Sequence, residues 1–312
     1  MTAQAPIVTL TMNPALDVTS AVAEVVPEHK LRCGPSRTDP GGGGVNVGRA
    51  IRSLGGDALA VLLLGGPTGE AYRRAVDATG LPLRVLPISG ETRESFTVDE
   101  TSTGRQFRFV LQGPTVAEPE WRAALDAVAD ALPTGGYLVA SGSLPPGVPD
   151  DFYALLARRC HDEDVAFVVD ASGPALRAAV EVGVDLIKPS ASELAGLTGC
   201  DPSDEAALVD AARSLVAAGR ARHVALSLGA SGAALVGVEG TVRLRAPRMR
   251  AVSTVGAGDA FLGALVLRLA QGVPAAAAAR TAVAAGTATA IRPATELCLP
   301  EDVARLERDV TG

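Results

Sequence analysis

The sequence predicts an α/β protein: a three-layer α/β/α sandwich with a mostly parallel central sheet, plus a small β-sheet lid. Three observations carry this. Short apolar runs bounded by Gly, Pro or Ser recur along the chain, as buried parallel strands do. Ala-rich segments with helical spacing lie between them. One stretch breaks the rhythm with strict two-residue alternation.

In chain order, Ile7–Met12 is a β-rich run ending in a polar turn. The run Asp39-Pro-Gly-Gly-Gly-Gly is poor strand and poor helix, and a periodic helix follows at once on Val45, Val47, Ala50, Ile51 and Leu54. Ala58–Gly65, Tyr137–Ala140, Ala166–Asp170, Asp185–Lys188 and His223–Leu228 read as buried strands. Trp121–Leu132, Asp150–Cys160, Glu205–Ala218, Asp259–Ala270 and Ala275–Ile291 read as helices. The exception is a hairpin. Phe96 and Val98 alternate with polar residues, a turn falls at Thr101–Gly104, and Phe107, Phe109 and Leu111 alternate again. A hairpin this small needs its apolar face covered by the core, a substrate or another subunit. With the stretch 17–40, it is read as a lid (about 17–40 and 91–113) on one domain spanning 1–312, and as a dimer contact.

Composition narrows the function. The formal net charge is −7, which disfavours nucleic acid as the main partner. No apolar run reaches membrane-spanning length, and the start of the chain lacks the pattern of an export signal. Cys33, Cys160, Cys200 and Cys298 are scattered without CxxC spacing, which disfavours a zinc site or disulfide framework and suits a reducing cytoplasm. Among 28 basic residues, Lys30 and Lys188 are the only lysines, which reads either as a coding bias towards Arg or as two sites that need a compact ammonium.

The strongest chemical signal is Ser253-Thr-Val-Gly256-Ala257-Gly258-Asp259, leading into a helix. Unpaired first-turn amides and the helix dipole make an anion site there, and glycine allows close approach. Asp259 stands beside it, placed either to accept a proton from an attacking hydroxyl or merely to cap the helix. The two preceding glycines favour the base. Neither GxxxxGK[ST] nor GxGxxG occurs, so a P-loop enzyme and a nicotinamide dehydrogenase lose their main support. Asn46 follows the glycine run and offers a donor and an acceptor for sugar hydroxyls. Lys188 and Glu193 flank a strand-to-helix junction, suited to nucleotide phosphate and to magnesium through water, although Glu in a first turn is commonly a dipole effect. Ser227-Leu-Gly229-Ala-Ser-Gly232 suits a nucleotide or a plain hairpin turn equally. Ser141-Gly-Ser143-Leu-Pro-Pro-Gly147 is a loop after a buried strand. Lys30, Arg32, Arg93, Arg105 and Arg108 gather in the lid segments of an acidic protein, as a phosphorylated sugar would require.

Together GGGGVNVGRA, STVGAGDAF, NPALD, KLR at Lys30–Arg32, SGSLPPG, KPSASEL and SLGASGA resemble the ribokinase-like (PfkB-type) carbohydrate kinases over nearly the whole chain. Within that family they are most similar to the minor, type II bacterial 6-phosphofructokinase branch. The resemblance implies ATP-dependent phosphorylation of fructose 6-phosphate at its C1 hydroxyl. The alternatives are 1-phosphofructokinase or tagatose-6-phosphate kinase, whose usual GKG is absent at Gly42 and Gly43, and, further off, a non-catalytic sugar-phosphate sensor. It implies that Asp259 is the base and that the amides of Gly256, Ala257 and Gly258 form the anion hole. It implies that Asp17, Gly42, Gly43 and Asn46 hold sugar hydroxyls, and that Lys30, Arg93 and Ser143 meet the sugar's phosphate, with Arg32 reaching across from a partner lid. Lys188, Ser190, Ser227, Gly229, Gly232, Ser253, Val255, Val283 and Thr287 are implied for the nucleotide. Mg²⁺ is implied at Glu193, and K⁺ is left open at Ser253 and Val255. Two departures stand out. Ser190 replaces the family's Asn, and Arg292-Pro-Ala294 replaces a polar or Gly-containing turn.

Overall fold

A computed structural model describes residues 4–132, 134–293 and 295–312, so Ala294 of that last turn lies outside the described residues. Strands and helices are numbered along the chain. The strands are β1 (Ile7–Thr11), β2 (Ala15–Val22), β3 (Arg37–Gly41), β4 (Leu59–Leu64), β5 (Leu83–Pro87), β6 (Arg93–Glu100), β7 (Arg105–Val110), β8 (Tyr137–Ser141), β9 (Ala166–Asp170), β10 (Val184–Ile187), β11 (Ala221–Ser227), β12 (Ala233–Gly237) and β13 (Gly240–Leu244). The helices are α1 (Gly43–Ser53), α2 (Gly66–Asp77), α3 (Glu118–Ala129), α4 (Phe152–Asp162), α5 (Gly173–Val182), α6 (Ala191–Thr198), α7 (Glu205–Ala217), α8 (Ala257–Ala270), α9 (Ala275–Ala290) and α10 (Pro300–Glu307).

Nine strands form the central sheet in the order β13-β12-β11-β10-β9-β8-β1-β4-β5. From β11 to β5 every pairing is parallel, and β12 and β13 add an antiparallel edge. Alternation along the strands divides the core in two. Val139 and Val168 point into a cluster with α1, α8 and α9, while Leu138, Ala140, Phe167 and Val169 point into a cluster with α3, α4, α5 and α7. Helices therefore cover both faces, as the continuous apolar runs required. The sheet runs outward from β1 in both directions, to β4 on one side and β8 on the other. The crevice beyond the strand C-termini at such a reversal is where open parallel sheets bind ligands.

The second sheet has the order β3-β2-β6-β7. Its hairpin has the register the alternation implied, with Phe96 opposite Phe109 and Val98 opposite Phe107. Less expected is that β2 pairs with β6 in parallel over eight residues, which joins two distant segments of chain. The apolar face does not pack as an ordinary edge hairpin on its own core. Phe109 is 54% exposed, and Phe96 and Leu111 are exposed with it.

Candidate active site

Two cavities open at the sheet's C-terminal crevice and meet at Thr254 and Gly258. The first, about 440 Å³, is polar. It is bounded by the ends of β8, β9 and β10, the starts of α1 and α8, and the inner face of the second sheet. The second, about 720 Å³, is mainly apolar and lies between the β11–β12 turn, the segment 246–251 and α9.

The glycine run shapes the first cavity by what it leaves out. A methyl on Gly41 would stand 2.1 Å from the Asp17 carboxylate, and one on Gly43 would stand 2.1 Å from Ser141 Oγ. Gly42 has φ 128°, a conformation that L side chains rarely adopt. The bare backbone thus lets α1 begin against β1 and β8, where Thr11 Oγ1 accepts the Val45 N–H at 2.9 Å. That places Asn46 on the cavity wall.

At the other wall α8 begins after Gly256, whose φ is 74°. Gly256 is the N-cap and makes no side-chain cap bond, so Asp259 sits in the first turn rather than capping it. Its Oδ2 instead accepts the Asn46 Nδ2–H at 2.9 Å. Burial raises the Asp259 carboxyl to about 6. The charge of Asp170 adds to the rise, and the Asn46 hydrogen bond, Lys188 and Arg49 oppose it. Such a group is ionised at neutral pH yet basic enough to take a proton. Of the three amides expected to cradle an anion, that of Ala257 donates to the Thr254 carbonyl at 3.3 Å. The cradle therefore rests on Gly256 and Gly258. A methyl on Gly258 would lie 3.5 Å from Lys188 Nζ, in ordinary contact, so the bare Gly258 backbone and the ammonium are neighbours at the seam.

Lys188 follows β10 and pairs with Asp170, at the end of β9, at 3.1 Å, both nearly buried. Burial opposes the Lys188 charge, but Asp170, Asp259 and Glu193 outweigh it and hold the ammonium above its ordinary value. Asp170 was absent from the sequence reading, which took it only as the end of a strand. Its signal was a carboxylate closing an otherwise apolar run.

The second sheet turns its polar face to the cavity, bringing Asp17, Arg93 and Arg108 together. Burial pushes Asp17 up to about 6, against the pull of Arg108 and Arg93. Arg93 donates to the carbonyls of Leu111 (2.9 Å) and Asn13 (3.0 Å). Ser143 lines the cavity and accepts from Asn13 Nδ2 at 3.1 Å. Lys30 and Arg32 do not line it. They stand exposed in the β2–β3 connection, and Arg105 lies exposed at the hairpin's far end. Charge alone could not separate Arg93 and Arg108 from these three: alternation along β7 turns Arg105 to the other face from Arg108, and Lys30 and Arg32 lie off the strands, in the β2–β3 connection.

Ser227, Gly229, Gly232, Val283 and Thr287 all line the apolar cavity. The Gly-rich turn there is both things at once: a 3₁₀ turn joining antiparallel β11 and β12, and part of the cavity wall. Ser190 lines neither cavity. Its Oγ accepts the Glu193 N–H (3.2 Å), and Glu193 Oε2 accepts the Ser190 N–H (2.7 Å), a capping box that starts α6. Glu193 still faces the polar cavity. Val255 lines that cavity too, whereas Ser253 is buried behind it, with its Oγ accepting the Val255 N–H at 3.3 Å.

The profile of the pfkB family of carbohydrate kinases matches residues 4–302. The ATP-dependent 6-phosphofructokinase isozyme 2 of Mycobacterium tuberculosis is 42% identical over 299 residues, 96% of this chain and 88% of that protein. A 1-phosphofructokinase of Bacillus subtilis is 30% identical over 284 residues, 91% of this chain and 92% of that one. The crystal structure of phosphofructokinase-2 from Escherichia coli in complex with potassium superposes with a TM-score of 0.94 at 36% identity, covering 98% of this chain and 99% of the other.

Proposed function

The chain belongs to the pfkB family of carbohydrate kinases, and from that premise we propose that it moves the terminal phosphoryl of ATP to the C1 hydroxyl of fructose 6-phosphate, giving fructose 1,6-bisphosphate. The observation that carries this is the junction of the two cavities. An apolar compartment fit for a nucleoside meets a polar one fit for a sugar phosphate at Gly258, with Asp259 and Lys188 beside the seam.

In this reading the sugar hydroxyl gives its proton to Asp259, whose Oδ2 is held by Asn46, which leaves Oδ1 to the acceptor. The amides of Gly256 and Gly258 and the Lys188 ammonium take up charge on the migrating phosphoryl. Arg93 and Arg108 hold the sugar's own phosphate, and Asp17 takes hydroxyls. The relative named a 6-phosphofructokinase has the higher identity, which supports fructose 6-phosphate over fructose 1-phosphate. A magnesium ion fits the cavity through water. Glu193 spends one oxygen on its capping box and keeps the other toward the cavity, the single-carboxylate arrangement that suits this ion. When bound, the ion neutralises phosphate charge. Support for potassium near Ser253 and Val255 comes from the Escherichia coli relative and from the Thr295 hydroxyl, which is buried without a hydrogen-bond partner among the described residues.

The second sheet acts as the lid, excluding water that would otherwise accept the phosphoryl. Its exposed Phe109 and Leu111, which do not line the cavity, support a homodimer through that face. In such a dimer Lys30 and Arg32 serve the partner's site. No helix among the described residues is long and apolar enough to cross a membrane, in keeping with a cytoplasmic enzyme.

The test is ADP release with fructose 6-phosphate, fructose 1-phosphate and tagatose 6-phosphate in parallel. Fructose 6-phosphate is expected to give the highest kcat/KM, and a tenfold preference for another sugar would overturn the substrate. Asp259→Asn is expected to lose about 10²–10⁴-fold in kcat while binding both ligands. Near-normal turnover would remove Asp259 as the base.

A further inference from the structure

Asn46 is the side chain that touches the proposed base, and something must decide which end of its amide does so. Oxygen and nitrogen occupy nearly the same shape but carry opposite hydrogen-bonding roles. If the carbonyl end faced Asp259, a lone pair would confront the carboxylate and drive it toward the protonated form. The structure holds the NH₂ end there, at 2.9 Å from Oδ2. The reason lies one turn along α1. Arg49 Nη1 reaches Asn46 Oδ1 at 3.1 Å. A guanidinium only donates, so the amide end facing it has to be the oxygen.

Arg49 is itself fixed. The same Nη1 donates to the Pro40 carbonyl at 3.2 Å, at the threshold of the glycine run. Burial lowers its basicity, while Asp39, Tyr72 and Asp17 around it sustain the charge and Arg37 opposes it. Asp259 in turn faces Asp170, Lys188 and Arg49.

Resting on the kinase reading above, we propose that Arg49 is a positioning residue for the base: it locks the Asn46 amide in the orientation that keeps Asp259 ionised and aimed at the acceptor hydroxyl. Neither the sugar nor the nucleotide need touch Arg49 for it to matter. Because one amide hydrogen and one lone pair of the Asn46 oxygen are committed, one hydrogen and one lone pair remain for a sugar hydroxyl.

The test is a double-mutant cycle on the full-length protein with Arg49→Met, Asn46→Ala and both together, and Arg49→Lys as the conservative variant. Each is measured for kcat, both KM values, pH profile and urea midpoint. Arg49→Met is expected to lower kcat roughly 10–100-fold, with the KM for ATP changed by less than about threefold. The acid limb of its rate profile moves to higher pH, because a cation that favoured the ionised base is gone. Arg49→Lys restores most of the loss. In the Asn46→Ala background, Arg49→Met costs less than about a further twofold, as expected for two residues acting in series. Losses that simply multiply, or an Arg49→Met enzyme with wild-type kcat and an unmoved acid limb, would overturn the proposal. A loss of urea stability with kcat intact would reduce Arg49 to a scaffold residue and overturn it equally. If Arg49→Met does not fold, the same cycle with Arg49→Gln decides by the same criterion. A wild-type protein that releases no ADP sinks the kinase reading itself. An active wild type with multiplicative losses sinks only the role of Arg49.

Discussion

Replacing Asp259 with asparagine should make the ligand-free protein less active and more stable above neutral pH. The carboxyl is held at about 6 in the fold against 3.8 when unperturbed, chiefly by burial and then by the charge of Asp170. Between those values the folded protein keeps a proton that the unfolded chain has released. Stability from this group is therefore greatest below about pH 4, declines as the pH rises toward 6, and the full cost stands above that. A rise of about two pKa units corresponds to roughly 3 kcal/mol, and partial exposure to the cavity reduces this to on the order of 1–3 kcal/mol. Asparagine keeps an oxygen for the Asn46 donor and carries no charge to desolvate. The assay is urea unfolding of parent and Asp259→Asn at about pH 4.5 and pH 8, without ligands. The variant should lead at pH 8, and its lead should shrink to a minor part of that at the lower pH. A variant no more stable at pH 8, or one with the same lead at both, would refute the claim that the base is held at a cost to the fold.

Three further outcomes follow from the same geometry. Lys188→Met strands the buried Asp170 carboxylate and should cost about 3–5 kcal/mol in urea unfolding, while adding Asp170→Asn recovers most of the stability but not the activity. Equal instability of single and double variants would show that the pair is not coupled. Gly43→Ala forces a methyl to within 2.1 Å of Ser141 Oγ and 3.0 Å of the Ser141 backbone, so a loss of about 1–3 kcal/mol and of most sugar-phosphate affinity is expected; unchanged melting and KM would contradict it. Phe109→Asp places a charge on the exposed face of the second sheet and should shift the protein to monomer in analytical ultracentrifugation, whereas an unaltered sedimentation profile would locate any self-association elsewhere.

The parallel sheet and its helices were legible because buried strands on both faces leave unbroken apolar runs, and Ala166–Asp170 and His223–Leu228 are such runs. The family was legible because the two glycine motifs are long and far apart. Other features were hidden for identifiable reasons. The parallel β2–β6 pairing joins segments more than seventy residues apart, and no local pattern announces it. Lys30 and Arg32 share the charge of Arg93 but lie in the exposed β2–β3 connection and not on a strand that faces the cavity, a distinction composition does not carry. Asp170 ends a run whose apolar character drew attention away from its last residue. Arg49 looked like one arginine among many, because its meaning lies in which atom of a neighbouring amide it faces.

The seam between the two cavities has a practical reading for inhibitor chemistry. Among the described residues only Thr254 and Gly258 belong to both walls, so a compound filling one compartment shares almost no surface with a compound filling the other. Fragments can be optimised separately, a greasy bicycle on the α9 side and an anionic polyol on the α1 side. Joining them demands a tether that passes the bare Gly258 backbone beside Lys188, and its length, more than either warhead, would set the potency of the hybrid.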